Sequence, residues 1–439
     1  MPKTLINEID STGGEALTGL VNSVYIPCTV APTLMLTPAG GTEATEHAFT
    51  GLAEGFTAED LLPHTIYTAD GLLEFEDEVL GTYNDATSGD VQQVPLKPNP
   101  DSMSYSLASY LLNNGFAVVL QLVLDNIQDG WTRRFNQLKD KGLYDIKFIT
   151  MGEFAGGSNF RISDIIGCAE DRGDCIALID HPRDLSAVAE ADPTLKTYSQ
   201  LVHKWVEQNA VSSYAATFSP WCSNSMHQAM VDNQKTYPML PPSFSFLAAY
   251  ANSCKNNAPW LAAAGVSRGF IPGLIKVDRK YGEQDVDVLQ CRKASSKEFL
   301  AGDNTGVACN PICSVDPFGI IVWGNRTGLN NDGSLKATSL LNIRNLACDI
   351  KKTMWTAARR YTFEQDTLSL WFKFCGQISP LLDRAIAGEG IESYRFVREE
   401  TSARARLKAR VIIVPIDAVE DFELSFVMDD TIETEESVG

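Results

Sequence analysis

The sequence predicts an α/β fold built from several domains, and three observations support this class. The chain has 439 residues, 44% of them hydrophobic, so it is long enough for about two to four domains with substantial cores. Between Tyr144 and Ile179, a strand, a helix and a second strand follow one another, which is the pattern of a βαβ unit with a parallel strand pair. The apolar run Ile320–Trp323 lies between Pro317 and Gly324 and is typical of a buried strand that ends in a tight turn.

The chain begins with two predicted strands. Residues Thr4–Asp10 alternate between apolar and polar side chains, and Val21–Val30 form a second strand after a break at Ser11–Gly14. The first strand has no obvious partner within its own chain. Two interpretations remain open: a frayed terminus, or a strand that pairs with the sheet edge of a neighbouring molecule through main-chain hydrogen bonds.

Residues 31–100 are rich in Gly, Thr, Asp and Glu, and Asp70–Leu80 is a plausible helix within them. We expect Gly81 to close this helix with a positive φ, as glycine commonly does. Ser102–Asn114 is then predicted as a helix, followed by a glycine and the buried strand Phe116–Leu124. An α/β unit therefore closes at this point.

The central part of the sequence alternates strands and helices. Tyr144–Thr150 and Cys175–Ile179 are predicted strands on either side of the helix Ile162–Arg172. Helical material then covers Leu185–Asn209, and Ser213–Phe218 is a further strand. The first strand, helix and second strand make a βαβ unit with a parallel strand pair.

A long helix, Leu340–Arg360, opens the C-terminal part. Its apolar side chains recur at a spacing of three and four, which indicates one buried face. The other face carries five cations, namely Arg344, Lys351, Lys352, Arg359 and Arg360. A solvated helix face and a face that meets a partner are both compatible with this pattern.

The remaining C-terminal elements are a helical segment and three strands. Leu368–Ala387 is predicted as a pair of helices around Pro380. Tyr394–Val397 and Arg406–Val414 are predicted as paired strands, and Phe422–Met428 as a final strand. We therefore expect a mixed α/β domain that ends in an extended strand.

Charge is distributed unevenly along the chain. The formal net charge of −20 at pH 7 disfavours generic nucleic-acid binding, because phosphate contacts need a basic surface. No Lys or Arg occurs between Lys3 and Lys97, a span with fifteen Asp and Glu, whereas Leu341–Arg410 holds thirteen Lys and Arg against eight Asp and Glu. Solvated surface accounts for both regions; the alternative is two faces that meet different partners by electrostatic complementarity.

The cysteine content and hydropathy exclude several classes of protein. Ten cysteines without a recognisable signal peptide predict a reduced, cytosolic setting. The spacings of Cys168 with Cys175 and of Cys309 with Cys313 match no zinc ribbon or finger, so buried thiols are favoured over a metal site. No apolar run approaches the roughly 20 residues of a membrane span, so we expect a soluble protein without membrane insertion.

The strand end at Asp180 and His181 is the place to test for catalysis, because catalytic groups collect at the carboxyl ends of strands in α/β sheets. The sequence holds no GxSxG nucleophile elbow and no phosphate-loop or dinucleotide fingerprint. A turn with a local hydrogen bond is favoured, and no catalytic residue, metal or cofactor is predicted. The alternative is a hydrolase-like α/β enzyme that uses these two residues near Cys222 and His227, with a deep pocket and perturbed pKa values.

Two stretches of sequence carry a resemblance to a known family. Pro241–Gly269 reads PPSFSFLAAYANSCKNNAPWLAAAGVSRG, and Asn310–Leu329 reads NPICSVDPFGIIVWGNRTGL. Taken in order, these turns resemble the conserved core of contractile tail sheath proteins, which form the shells of phage tails, tailocins and related injection machines. The strand ends that follow Ile179 and Phe218, reading DHP and SPW, match the same pattern. The sequence departs from the family at Phe244, where a glycine is usual, and lacks the lysine that precedes the family's APAG turn.

The resemblance covers nearly the whole chain and is weakest at residues 31–70. It implies a structural subunit that assembles with itself as hexameric rings in a helical sleeve around an inner tail tube, in a virion tail built in the host cytoplasm. Baseplate and tail terminator proteins are further implied partners. It also implies four regions: a linking arm at 1–20, an acidic α/β region at 21–135, an α/β core at 136–330 and a tube-facing domain at 331–439.

The resemblance also implies roles for individual residues. In this family the first and last strands complete sheets in neighbouring subunits, and these strands correspond here to Thr4, Leu5, Ile6, Asn7, Glu8, Ile9, Phe422, Leu424, Phe426, Val427 and Met428. A helix of the C-terminal domain lies against the inner tube. On this basis the cations expected to meet an acidic tube surface are Arg344, Lys351, Lys352, Arg359 and Arg360. Such a mesh could rearrange while its strand pairing is kept.

Overall fold

A computed structural model describes residues 22–38, 43–67, 79–124, 130–155, 162–231, 234–291, 305–332, 336–399 and 407–417. The predicted strands Thr4–Asp10 and Phe422–Met428 lie outside the described residues, as does nearly all of the predicted helix Asp70–Leu80. The α/β class predicted from the sequence is confirmed.

The strands run as follows: β1 (Ser23–Thr29), β2 (Thr33–Leu36), β3 (Thr45–Leu52), β4 (His64–Ile66), β5 (Leu80–Asp85), β6 (Val91–Pro95), β7 (Ala117–Val123), β8 (Phe148–Ile149), β9 (Ile176–Ile179), β10 (Ala215–Ser219), β11 (Cys222–Asn224), β12 (Ala229–Val231), β13 (Gln234–Thr236), β14 (Leu274–Val277), β15 (Thr305–Gly306), β16 (Asn310–Val315), β17 (Gly319–Val322), β18 (Asn331–Asp332), β19 (Ile391–Glu399) and β20 (Lys408–Pro415). The helices are α1 (Met103–Asn113), α2 (Gly130–Leu138), α3 (Ile162–Arg172), α4 (Ser186–Ala191), α5 (Tyr198–Asn209), α6 (Pro242–Cys254), α7 (Gly265–Arg268), α8 (Glu283–Leu289), α9 (Leu341–Arg360) and α10 (Leu368–Ala387). Two short 3-10 turns cover Gly152–Phe154 and Ala337–Ser339.

An eight-stranded sheet forms the centre of the molecule, in the order β17-β16-β10-β9-β8-β1-β7-β4. The strands from β16 to β7 in this order are parallel to their neighbours, whereas β17 and β4 pair antiparallel at the two edges. The predicted βαβ unit is present as β8, α3 and β9, and α3 has the predicted bounds. Because β1 and β7 share the sheet with β8 and β9, the sheet crosses the boundary predicted at residue 135.

Alternating side chains divide the central sheet into two apolar layers. In β1, Val24 and Ile26 face a core that also contains Phe244 of α6, while Tyr25 faces a core that contains Phe135 of α2. The alternation follows from the period of two along a strand, and helices cover both faces because parallel strands need crossover connections. The result is a three-layer arrangement of helices, sheet and helices.

The region between β1 and α1 holds a separate antiparallel sheet, in the order β2-β3-β5-β6. The prediction that Gly81 caps a helix is wrong, because Gly81 lies inside β5 and its φ is not positive. A Cβ at this position would lie 2.5 Å from Leu96 Cδ2 and 2.9 Å from Tyr83 Cε2, so the glycine is needed for close packing.

The helices α9 and α10 and the strands β19 and β20 share a third apolar core, and we call these four elements the C-terminal unit. The two strands form an antiparallel pair from Ser393–Val414 to Glu399–Lys408. The prediction of two helices around Pro380 is wrong, because α10 is continuous through it. Pro380 and Gly376 are both exposed, so water can satisfy the Gly376 carbonyl that lacks its helical donor.

Candidate assembly surfaces and the buried polar clusters behind them

Asp180 lies at the carboxyl end of β9 and is fully buried. Ser243, in the first turn of α6, donates its backbone N–H to Oδ1 at 2.8 Å and its hydroxyl to Oδ2 at 2.7 Å. The amides of the first helical turn have no partner within the helix, so this carboxylate satisfies one of them. Burial raises the pKa of Asp180 to about 7, although the two hydrogen bonds oppose the shift.

His181 is also fully buried and belongs to a second set of contacts. Its Nδ1 lies 2.9 Å from the Pro182 carbonyl, which can only accept, so Nδ1 carries the hydrogen. The opposite nitrogen, Nε2, lies 2.9 Å from Ser219 Oγ, which lies 2.6 Å from the Tyr281 hydroxyl. Burial lowers the pKa of His181 to about 4, so the imidazole is neutral at neutral pH.

These contacts satisfy the polar atoms of Asp180 and His181, the two residues of the alternative catalytic site, with partners from the chain itself. The Cys222 thiol is buried, which raises its pKa to about 12, and His227 Nδ1 lies 2.9 Å from Ser106 Oγ. One cavity bounded by described residues has a volume of about 10 Å³, room for about one water, and none of these residues lines it. The perturbed pKa values expected of an enzyme are present, but burial alone causes them, and nothing described here opens the pair to solvent.

A second buried polar cluster is centred on Asn310 at the start of β16. Its amide donates to the carbonyls of Thr217 at 3.1 Å and Arg326 at 2.8 Å, and its Oδ1 accepts from the Arg326 N–H at 2.6 Å. A Cβ on Gly324 would lie 2.6 Å from Asn310 Oδ1 and 2.7 Å from its Cα, so only glycine fits there. The NPI and WGNRT motifs therefore meet in one buried hydrogen-bonded cluster between β10, β16 and the turn after β17.

The same turn fastens α9 to the sheet. Asn325 donates its side-chain amide to Asn342 Oδ1 at 2.7 Å, and its carbonyl accepts from the Leu341 N–H at 2.9 Å. Thr327 Oγ1 donates to the Thr338 carbonyl at 2.9 Å. The motifs that carry the family resemblance thus position buried backbone, and they do not form an exposed site.

The cations predicted to face a tube do not share one exposed surface. Arg344 is only 8% exposed, and it donates to the Ser213 carbonyl at 3.1 Å and to Ser213 Oγ at 2.6 Å. Its placement on an exposed face is therefore wrong, because a carbonyl in the turn before β10 and the Tyr214 ring, 4.2 Å from its guanidinium carbon, hold it inward. No local sequence pattern predicts this burial, because Ser213 lies 131 residues before Arg344 in the chain.

The other four cations of α9 differ in how free they are. Lys351 donates to the Tyr214 hydroxyl at 2.6 Å, and Lys352 pairs with Asp145. Arg359 stacks on the Trp355 ring at 4.8 Å, and Arg360 is exposed. Arg359 and Arg360 are therefore the members of the predicted set that are most available to a partner.

A buried ion pair also holds α9 against the central sheet. Lys147 Nζ lies 2.8 Å from Asp349 Oδ2, and both side chains are almost fully buried. The ammonium also lies 5.6 Å from the centre of the Tyr250 ring of α6. One face of α9 is therefore bound to the central sheet along most of its length, and the C-terminal unit is tied to it.

Large apolar side chains are exposed near the start of α10. Phe363 is 103% exposed, Phe372 is 69% exposed and Leu368 is 66% exposed. Phe363 also has a φ of 71°, which costs a bulky side chain on the order of 1 to 3 kcal/mol. None of these residues is among the predicted site residues; the only sequence signal was that Leu368 and Phe372 lie outside the buried stripe of α10.

The strands β19 and β20 each keep an open edge among the described residues, because their sheet has two strands. Unpaired edges are templates for an added strand. This arrangement is compatible with the predicted donation of Thr4–Ile9 and Phe422–Met428 to neighbouring subunits, but those residues lie outside the described ranges, so the donation stays a prediction.

The fold defined by these elements is that of contractile sheath chains. A chain of the anti-feeding prophage helical sheath in its contracted state matches with a TM-score of 0.56 at 15% identity, over 98% of this chain and 99% of that chain. A chain of the contracted sheath complex of PVC, an extracellular contractile injection system, matches with a TM-score of 0.55 at 16% identity, over 97% of this chain and 99% of that chain. A chain of the anti-feeding prophage baseplate matches with a TM-score of 0.54 at 15% identity, over 98% and 99%.

These matches confirm the predicted resemblance at the level of the fold. No protein-family model matches the sequence, and no curated protein matches it either. The described helices include none that is long and apolar enough to cross a membrane.

Proposed function

We propose that this chain is a structural subunit of a contractile sheath. In this role it polymerises as a six-fold helical sleeve around an inner tail tube and contracts to drive the tube through a target cell envelope. The observation that carries the proposal is the match over 97–98% of the chain to sheath chains of two injection systems. The match includes the C-terminal unit as well as the central sheet, so it extends to the elements that offer open edges.

The linkage between subunits rests on strand addition. The arm at residues 1–20 and the strand Phe422–Met428 are proposed to pair with open edges in neighbouring copies. Main-chain hydrogen bonds would supply the affinity, and Ile6, Leu424 and Phe426 would fill pockets beside the edge. Such a linkage can persist while whole subunits rotate.

Contact with the inner tube is proposed for the end of α9. Arg359 and Arg360 remain available there, whereas Arg344 is buried and Lys351 and Lys352 are engaged within the chain. Partners at the two ends of the sleeve are proposed to be baseplate and tail terminator proteins, in a tail that is assembled in the host cytoplasm.

The enzyme alternative is not favoured by any of these observations. The Asp180 carboxylate and the His181 imidazole are satisfied by Ser243, Pro182 and Ser219. They behave as structural joints between strand ends and α6. No step of the proposed function uses a cofactor or a metal.

Negative-stain electron microscopy of the purified chain tests the proposal, beside a variant that lacks Met1–Leu20. We expect sleeves with six-fold symmetry from the full chain and their loss on truncation. A matched pair refines the result: Ile6→Pro removes an N–H from the strand and should prevent assembly, whereas Ile6→Val should not. A full chain that stays monomeric at high concentration would overturn the sheath proposal, and sleeves from the truncated chain would overturn only the N-terminal linkage.

A further inference from the structure

The surface beside the first turns of α10 combines exposed apolar groups with cations. Its apolar members are Phe363, Leu368 and Phe372. Lys373 is exposed next to them. The Arg398 guanidinium lies 2.6 Å from Asp366 Oδ1 and so brings the far end of β19 to the same place. Lys408 and Arg410, at the start of β20, both pair with Glu399 at that end of β19. We call these seven residues the α10 face: Phe363, Leu368, Phe372, Lys373, Arg398, Lys408 and Arg410.

The α10 face has the chemistry of a docking surface for an acidic partner with apolar side chains. Phe363 keeps its ring fully exposed on a left-handed backbone, a conformation that a bulky residue seldom adopts. Strained residues of this kind cluster where a surface has a role. Among the described residues, Lys373 forms no ion pair with a carboxylate. An approaching anion would therefore find a free ammonium beside apolar side chains.

The chain itself contains a segment with the matching composition. Residues 418–439 hold eight Asp and Glu and no Lys or Arg. They also hold the predicted strand Phe422–Met428, followed by an acidic stretch, Asp429–Glu436, with Ile432 in its middle. The charges of this segment are opposite in sign to the cations of the α10 face.

Strand geometry links the open edges of β19 and β20 with the α10 face. A strand of seven residues spans about 23 Å, close to the length of β19 and β20, which have nine and eight residues. Residues that follow such a strand, once it has been added to an open edge, leave the pair at one of its two ends. One end is at Ile391 and Pro415; the other is at Glu399 and Lys408, beside the α10 face. The three cations at the second end outnumber the two carboxylates that pair with them, Asp366 and Glu399, and this excess favours that end for an acidic stretch.

We infer that the α10 face is the docking site for the acidic stretch Asp429–Glu436 of a neighbouring copy of this chain. The inference rests on the proposed function, because it takes the strand Phe422–Met428 to be donated between subunits. Docking would fix the register of the donated strand, since the charges and Ile432 reach the α10 face in one register only. The contact would also weaken with salt, as exposed charge pairs do.

Two charge-reversed copies test the inference by complementation. The first carries Lys373→Glu and Lys408→Glu on the α10 face, and the second carries Asp429→Lys and Asp430→Lys in the acidic stretch. The first variant places carboxylates against the acidic stretch, and the second places two ammonium groups of that stretch against the cations of the α10 face. We therefore expect at least a tenfold rise in the concentration needed for assembly, measured by sedimentation. A mixture of the two should assemble like the wild type, because each acidic or basic stretch then meets a complementary face on the other copy.

Controls separate this inference from the sheath proposal. Lys276→Glu with Lys280→Glu reverses two exposed cations in and just after β14, outside the C-terminal unit, and should leave assembly unchanged. Variants that assemble as well as the wild type would overturn the docking site and leave the sheath proposal intact. Rescue that occurs only when all four changes are in one chain would mean that the stretch docks on its own copy, which also contradicts the inference. A wild-type chain that never assembles would overturn both.

Discussion

The central sheet and the exposed surface of the C-terminal unit use polar side chains in opposite ways. In the central sheet, Asp180, His181 and Asn310 are buried, and each is satisfied by partners within the chain. On the surface of the C-terminal unit, Arg360 and Lys373 are exposed, and so is the ring of Phe363 between α9 and α10. The first arrangement fixes one conformation, and the second leaves binding capacity for another molecule.

The residues that carry the family resemblance and the residues on the surfaces proposed for assembly are therefore different sets. The PPS, NPI and WGNRT motifs that carry the resemblance lie in buried hydrogen-bonded clusters, so they indicate which fold the chain adopts. The surfaces available for assembly carry no motif. A motif search of such a protein therefore identifies its architecture and is blind to its contacts.

The largest expected effect comes from the ion pair that joins the two regions. Lys147→Met leaves the Asp349 carboxylate buried without a partner, and we expect a loss of about 3 to 5 kcal/mol in the free energy of unfolding. Lys147→Met with Asp349→Leu should recover most of this loss. Urea unfolding followed by circular dichroism measures both. Lys352→Met is the matched control: its partner Asp145 is half exposed, so its effect should stay below about 1 kcal/mol. Equal losses in the single and double variants would contradict this account.

The buried pair Asp180 and His181 should give pH effects of opposite sign. Asp180 has a raised pKa of about 7, so its contribution to stability is present below the unfolded value of 3.8 and is lost as the pH rises toward 7. His181 has a lowered pKa of about 4, so its contribution is present above 6.5 and is lost as the pH falls toward 4. Between about pH 4 and 6.5 the two contributions offset each other in the wild type.

Removing one member of the pair should make the pH dependence of the other measurable. Relative to the wild type, Asp180→Asn should lose stability as the pH falls from 6.5 to 4, by up to about 3 kcal/mol over the window. His181→Asn should instead lose stability as the pH rises over the same range. Thermal unfolding at a series of pH values gives both slopes. Parallel slopes for the two variants would show that these groups do not titrate as their burial requires.

A loss of about 2 to 3 kcal/mol is expected from Asn310→Ala, because three buried backbone groups then lose a partner. Asn330→Ala, at an exposed loop position nearby, is the control and should change the unfolding free energy by less than about 0.5 kcal/mol. Chemical unfolding monitored by tryptophan fluorescence provides the measurement. The motif residue would be shown to be dispensable if the two variants behaved alike.

Which elements could be predicted from the sequence depends on how strongly their side chains alternate between apolar and polar. Helix α3 and the strands around it were predicted because the helix shows clear apolar periodicity and both strands are continuous buried apolar runs. The sheet of β2, β3, β5 and β6 was missed, because its strands are half exposed, with Gly and Thr in place of strong apolar alternation. Gly81 illustrates the difficulty: its local sequence suits a helix cap, whereas distant Leu96 determines its role.

The candidate surfaces were predictable only in part. The basic face of α9 follows from its sequence, but whether a cation is free depends on tertiary partners. Arg344 is withdrawn by Ser213, and Lys352 by Asp145, both far away in sequence. The exposed ring of Phe363 depends on where the chain turns between two helices, which no short pattern specifies.

The smallest expected effect on stability is at Phe363, and it separates folding from assembly most cleanly. Asn tolerates a left-handed backbone, so Phe363→Asn should raise the free energy of unfolding by about 0.5 to 1 kcal/mol. Phe363→Ala removes the same ring but keeps the unfavourable φ, so it should leave stability close to that of the wild type. Both variants remove the exposed ring and should weaken assembly equally, as measured by sedimentation against concentration. A variant that is more stable and yet assembles less well would show that Phe363 is kept for contact between copies at a cost to the fold. Unchanged assembly in both variants would remove Phe363 from the docking surface and leave its backbone strain without a function.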